Sequence, residues 1–150
     1  MTAVLADRQE VWAPFAAEQQ IELRIEGDPT ARLIAELVPG HLEQILDNLV
    51  DNALEASDPR TAVVLRALRV ATTVEVHVID EGHGMSETDR RRAFDPFWQG
   101  ADGHSTGSTG LGLAIAEQLA RACRGSITLQ RAASGGIDAV ARFPINRDDT

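Results

Sequence analysis

The chain is short of several things. It has one cysteine, Cys123, and no tyrosine, and aromatics make up 4% of its 150 residues. A single thiol cannot form an intrachain disulfide, which fits a reducing compartment. With so few rings, the core must be built from Leu, Ile, Val and Ala. No apolar run approaches the length of a membrane span. The opening Met1-Thr2-Ala3-Val4-Leu5-Ala6-Asp7 lacks both a basic stretch and a long apolar one, so it does not read as a signal peptide. Basic residues are scarce, with 14 Lys and Arg against 23 Asp and Glu, a formal charge of −9. That balance argues against nonspecific nucleic-acid binding, which needs a basic surface. A polyphosphate ligand is still allowed where a site brings local positive ends and a metal. The histidines, His41, His77, His83 and His104, are scattered and do not show zinc spacing.

One hundred and fifty residues suffice for one domain with its own core. The spacing predicts a helix over 7–20, with Asp7 as a candidate cap and Pro14 inside it as a candidate kink. Ile21, Leu23 and Ile25 alternate with charged residues, as in a half-buried strand. A short strand over 33–38 is a weaker expectation. From His41, Leu42, Ile45, Leu46, Leu49, Val50 and Leu54 recur at helical spacing as far as Ala56 to Pro59. Residues 62–70 and 73–79 read as two strands joined at Ala71-Thr72, with Val74, Val76 and Val78 on one face and Glu75 and His77 on the other. Ser86 and Asp89 look like a cap for a short helix over 86–94. A polar lid around 86–109, mobile from about Gly100, precedes a helix over 111–122 that ends near Gly125. Strands around Ile127–Leu129 and Ala139–Phe143 close the chain, separated by Ser134-Gly135-Gly136. Helices on one face of a mixed or antiparallel sheet satisfy this order.

The chemistry concentrates in three places. Asn48 and Asn52 lie four apart on the long helix and share a face. A carboxamide oxygen is a neutral ligand for a hard cation such as Mg²⁺, although helix-surface amides would look the same. Asp80 ends an apolar strand and opens Asp80-Glu81-Gly82-His83-Gly84-Met85. A buried carboxylate there needs donors, and an adenine amine is one, with Gly82 and Gly84 letting the backbone approach the ring. A ligand-free strand-end turn is the plainer alternative. Gly110 and Gly112 open the helix at 111–122, where free amides suit phosphate oxygens or merely mark a flexible helix start. No Gly-Lys-Ser/Thr follows, so this is not a phosphate-loop motif. Arg90, Arg91 and Arg92 could reach phosphates or form a solvated run, and Phe94, Phe97 and Trp98 could anchor the lid.

Taken together, four motifs in order resemble the catalytic ATP-binding domain of sensor histidine kinases, in the superfamily of gyrase B, Hsp90 and MutL. They are His41 to Ala53 with Asn48 and Asn52, Asp80 to Met85, Phe94-Asp95-Pro96-Phe97, and Gly110-Leu111-Gly112-Leu113. The resemblance covers nearly all of residues 1–150. It implies a two-layer α/β sandwich, a mixed five-stranded sheet with three helices on one face, known as the Bergerat ATP-binding fold. ATP and Mg²⁺ are the implied cofactors. Asn52 would hold the metal, Asn48 would meet phosphate or metal-bound water, and Asp80 would receive the adenine amine. Further nucleotide contacts are implied at Gly82, Gly84, Met85, Thr109, Gly110, Leu111, Gly112 and Leu113.

The implied partners are a phosphoacceptor and dimerisation domain of the same kinase and, indirectly, a response regulator. Neither nucleic acid nor direct membrane contact is implied. The setting would be cytoplasmic, in a protein that can be membrane-anchored. His41 lies outside the family's phosphoacceptor motif, so the acceptor histidine is expected elsewhere. The chain departs from the common pattern at Glu55, where Lys is frequent, at Ala56, often aromatic, at Gln99, often basic, and at Ile137, often Thr. Weaker nucleotide contacts are therefore expected, or compensation by Arg91 as a catalytic residue. Two rivals remain: a regulatory serine kinase of the anti-sigma-factor type, which usually keeps a glutamate where Asn48 stands, and an interaction module whose pocket has lapsed.

Overall fold

The apolar stripe beginning at Leu42 becomes the helix that the sheet is built against. This is α2, His41–Ala56, which buries Leu42, Ile45, Leu46, Leu49, Val50, Ala53 and Leu54. A computed structural model describes residues 1–28, 31–96 and 111–145. Within them the remaining helices are α1 (Thr2–Glu18), α3 (Glu87–Arg92) and α4 (Gly112–Ala122). The strands are β1 (Glu22–Glu26), β2 (Ala62–Val70), β3 (Thr73–Ile79), β4 (Ser126–Arg131) and β5 (Ile137–Pro144).

The strands form one sheet in the order β1-β2-β3-β5-β4. β1 runs parallel to β2 and every other pair is antiparallel. The sheet is thus mixed and five-stranded, with its helices on one face, the expected architecture. Val74, Val76 and Val78 are buried as the alternation required, and Val76 and Val78 sit opposite Ala141 and Ala139 of β5. Small partners on β5 let α4 press close, with Ala116 and Ala120 fully buried in the same core. The lone thiol, Cys123, is buried there too.

Some expectations need correction. α1 starts at Thr2, not Asp7. Leu5 is buried in the core, and the Met1 ammonium donates to the Leu33 carbonyl, so tertiary contacts hold the extra turn. Asp7 is no cap; it pairs with Arg8. The helix also runs through Pro14. Residues 33–38 form no strand, only an isolated bridge between Ala35 and Ile145. Pro144, which ends β5, has no N–H with which to extend a ladder beside them. The short helix is Glu87–Arg92, and the Ser86 hydroxyl does accept from the Asp89 amide at 3.1 Å. His77 was expected on the open face away from the valines. It is on that face, yet it is 7% exposed. The lid expected over 86–109 lies, from residue 97 on, outside the described residues.

Gly125 links α4 to β4 at a point of close packing. A Cβ there would collide with the Arg142 carbonyl and lie 2.7 Å from Phe143 Cδ1. Gly125→Ala should therefore cost about 1–3 kcal/mol, seen as a lower midpoint in urea unfolding.

Candidate nucleotide-binding cleft

Two backbone corners and one helix build the site. Asp80 follows β3 directly, and it is 4% exposed. Its Oδ1 accepts from the Gly82 amide at 2.9 Å and the Ile137 amide at 3.1 Å. Its own amide donates back to the Ile137 carbonyl at 2.9 Å. Both side-chain bonds fall on one oxygen, so Oδ2 has no protein donor among the described residues. Burial pushes the Asp80 carboxyl up; the Gly82 and Ile137 amides and nearby His83 pull it part of the way back. A desolvated, half-satisfied carboxylate is what a ligand donor would complete.

The glycines around it have a packing reason besides the one expected. A Cβ on Gly82 would collide with the Ala56 carbonyl, and one on Gly84 with the Gly135 carbonyl. One on Gly136 would strike Asp80 itself. Gly84 also has φ +74, a conformation that favours glycine. These residues are small so that the end of α2, the loop after β3 and the β4–β5 turn can meet. Approach to a ring is not needed to explain them.

Leu49, Asn52, Ala53 and Ala56 of α2 share one cleft with Val78 and Asp80, with His83, Gly84 and Met85, and with Leu113, Leu129, Ile137 and Ala139. The metal-ligand candidate and the purine-reading candidate therefore open onto one space. The described walls enclose about 50 Å³, well below the ~300–1,000 Å³ of a complete ligand pocket. Thr109 and Gly110, with Phe97 and Gln99, lie outside the described residues. Asn48 is one turn before Asn52, facing the start of α4: a Cβ on Gly112 would lie 3.9 Å from Asn48 Oδ1. Among the described residues, Asn48 Nδ2 is buried without a hydrogen-bond partner. Such an orphan costs about 1–3 kcal/mol, and a ligand oxygen at the helix start would offset it. The residues present thus fit a purine at one end and an oxygen-rich group at the other.

Met85 and Leu113 stand in the cleft wall, and Leu111 is the N-cap residue of α4. Arg91 is the site candidate that the structure does not bring in. It pairs with Glu87 at 2.7 Å on the surface of α3, its side chain 76% exposed. His83, Ala53, Leu129 and Ala139 were missed. His83 was legible as the residue between Gly82 and Gly84, and Ala53 as the neighbour of Asn52 on α2; Leu129 and Ala139 needed the strand order. Asp51 and Glu55, on the same helix, are both pushed up by desolvation, Glu55 also by the charge of Asp51.

A mixed sheet with helices on one face and a strand-end acid sharing a cleft with a helix amide defines an ATP-binding sandwich of the Bergerat type. A family model described as histidine kinase-, DNA gyrase B- and HSP90-like ATPase matches residues 38–147. The chain belongs to that family, and it is a catalytic ATP-binding domain of the histidine kinase kind.

Among curated proteins, it is 37% identical over 101 residues to the sensor protein KdpD of Mycobacterium tuberculosis, covering 67% of this chain and 12% of that one. It is 33% identical over 127 residues to the sensor protein CreC of Escherichia coli, covering 85% of this chain and 26% of that one. The chain thus spans about an eighth to a quarter of the length of these relatives. The nucleotide-free catalytic domain of histidine kinase ThkA has the same fold, with TM-score 0.83 at 21% identity over 100% of this chain and 95% of that one. Full-length ShkA in complex with AMPPNP gives 0.76 at 28% identity, over 95% of this chain and 29% of that one.

Asn at position 80 would keep an oxygen for the Gly82 and Ile137 amides and remove the desolvated charge. Asp80→Asn should therefore leave Tm unchanged or raised. It would also set an amide donor against the purine amine, weakening adenine-nucleotide binding about 10- to 100-fold. Melting curves and calorimetric titration check the two halves.

Proposed function

We propose that this chain presents Mg-ATP to a histidine in a separate dimerisation and phosphoacceptor domain of the same two-component sensor kinase, and so feeds a response regulator indirectly. The observation that carries the reading is the single cleft shared by Asn52 and Asp80. In it Asp80 accepts the adenine amine through its unpaired oxygen. Asn52 offers a neutral carboxamide oxygen to the metal. Asn48 turns its orphaned amide toward a phosphate oxygen or a metal-bound water, beside the start of α4. Thr109, Gly110 and Gly112 add phosphate contacts, and the segment around 86–109 serves as the lid. Mg-ATP, when bound, supplies the transferable phosphoryl group.

The residues also favour transfer over hydrolysis. Asn48 carries no basic oxygen with which to activate a water, so the nucleophile must come from elsewhere. It does not come from His41. That ring packs against α4, with Nδ1 3.4 Å from the Leu119 carbonyl and 3.6 Å from Cys123 Sγ. His77 is equally committed, held between two carboxylates. In this reading the acceptor belongs to another domain, and this chain's work is to place and orient the donor. No helix among the described residues is long and apolar enough to cross a membrane. A cytoplasmic setting, in a kinase whose sensing part can be membrane-anchored, completes the proposal.

Calorimetric titration with a nonhydrolysable ATP analogue, with and without Mg²⁺, tests it. Wild type should bind one analogue, more tightly with Mg²⁺. Asn52→Ala should lose the Mg²⁺ dependence while its melting curve stays close to wild type. No binding in either condition would point to a lapsed module. Transfer to serine in place of histidine in a partner protein would point to a regulatory serine kinase.

A further inference from the structure

The open face of the sheet carries a partly buried ionic cluster that the proposed reaction does not use. His77 Nδ1 lies 2.9 and 3.0 Å from the two Asp138 oxygens, and Nε2 lies 2.8 Å from Glu75 Oε2. Arg142 Nε donates to the other Glu75 oxygen at 2.9 Å, and its NH1 donates to Thr128 Oγ1 at 2.7 Å. Side chains of β3, β5 and β4 are thereby tied together. Both imidazole nitrogens face carboxylates, and a carboxylate only accepts. Only the imidazolium, with two N–H donors, satisfies both contacts; a neutral ring would aim a lone pair at one of them.

The cluster touches the cleft through the backbone. Asp138 directly follows Ile137, whose amide donates to Asp80 Oδ1 and whose carbonyl accepts from the Asp80 amide. Asp80 in turn stands three residues after His77. In register, Ile79 pairs with Asp138 and His77 with Val140. The His77–Asp138 bond therefore staples β3 to β5 across the same step of the ladder that aims the Ile137 amide.

We propose that His77 is a positioning residue for purine recognition: clamped between Asp138 and Glu75, it holds the start of β5 so that Ile137 fixes the orientation of the Asp80 carboxylate. This rests on the reading of Asp80 as the purine acceptor. Bonding to Asp138 raises the His77 pKa, burial opposes it, and the Asp138 charge and Glu75 add to the rise. Burial alone would raise Glu75, but its bonds to His77 and Arg142 overrule that and hold its carboxyl below the usual range. The charged groups facing the ring are Asp138 and Arg142 on β5, Glu75 on β3, and Arg66, opposite His77 on β2. β4 contributes the neutral Thr128 and Gln130. Arg66 opposes the imidazolium charge, and the two carboxylates outweigh it. A raised histidine pKa stabilises the fold fully below the unfolded value of about 6.5. That contribution is lost as pH climbs through the folded value. Nucleotide affinity should fall over the same window, because the staple opens.

The test uses the whole chain, an Mg²⁺-bound nonhydrolysable ATP analogue, and pH from about 6.5 to 9. Wild-type affinity should fall about three- to tenfold across the window. His77→Gln, which keeps one donor, should bind more weakly at the acid end and lack this added pH dependence. Titration of the nucleotide itself is common to both proteins, so the difference between their profiles reports His77. Independently, the amide resonance of Ile137 in the nucleotide-free wild type should titrate together with the His77 ring. It should stop doing so in Asp138→Asn. Identical pH profiles in wild type and His77→Gln would overturn the proposal, as would an Ile137 amide that stays fixed while the ring titrates. If no analogue binds at any pH, the reading of Asp80 fails, while the amide titration still decides whether His77 positions Ile137. It decides equally if His77→Gln does not fold.

Discussion

The structure turns on a carboxylate that is buried and only half bonded. Asp80 sits at the end of β3 with one oxygen held by two backbone amides and the other turned over to the cleft. Keeping a charge there opposes folding, as its raised pKa records. The fold accommodates it by converging three backbone segments on that point. The α2 carbonyl at Ala56 abuts Gly82, the β4–β5 turn abuts Gly84, and Gly136 lies against Asp80 itself. Packing this dense leaves no slack, so the free oxygen is aimed by the framework and not by a flexible side chain. That is preorganisation in its plain sense: the orientation is settled during folding, before any ligand arrives.

α2 connects this corner to the rest of the site because it does two jobs with one period. Its 3.6-residue repeat sends Leu42, Ile45, Leu46, Leu49 and Val50 into the core, and the same repeat sets Asn48 and Asn52 one turn apart along the edge of that stripe. The core contacts fix the helix against β2 and β3, and therefore fix both amides relative to Asp80. A helix held by apolar packing on one side can carry an unsatisfied amide on its margin, as the orphaned Asn48 Nδ2 shows. The start of α4 completes the margin, with Gly112 facing Asn48.

Features that depend on local periodicity or on short-range chemistry were legible in the sequence. The α2 stripe, the valine alternation in β3, the turn at Ala71-Thr72 and the Ser86 cap all formed where the residues indicated. Asp80 and Asn52 were legible as a pair only through their resemblance to a family, because nothing local says that a strand end and a helix turn about thirty residues apart share a cleft. What failed depended on partners distant in the chain. The first turn of α1 is held by Leu33, and its residues 2–6 carry no strong helical stripe. The residues over 33–38 look like a strand, but among the described residues their only β-bridge is to Ile145, beside Pro144. Gly82 and Gly84 were given to a ligand alone, while they also pack against Ala56 and Gly135. The burial of His77 could not be read at all, since Asp138 and Arg142 become its neighbours only after β5 pairs with β3. Arg91 had its partner, Glu87, four residues away on the same short helix, a pairing that helical spacing alone would have suggested.

Charge explains why amides, and not acids, line the α2 side of the cleft. The chain carries a formal −9, and Asp51 and Glu55 already stand on the same helix, both pushed toward protonation, Glu55 partly by Asp51. Like charge is therefore already felt at Glu55 before any phosphate is present. Carboxylates at 48 and 52 would double the number of acids within two turns and face them toward a triphosphate. Carboxamides supply the same oxygen geometry with no added charge, so the charge of a metal bound there would be left to balance the phosphates of the proposed ligand. The same substitution removes a basic oxygen from position 48. A single choice of residue type thus eases the electrostatics of a polyphosphate in an acidic domain and withholds the group that would activate water. That suits the proposed transfer of the phosphoryl group to a histidine outside the chain.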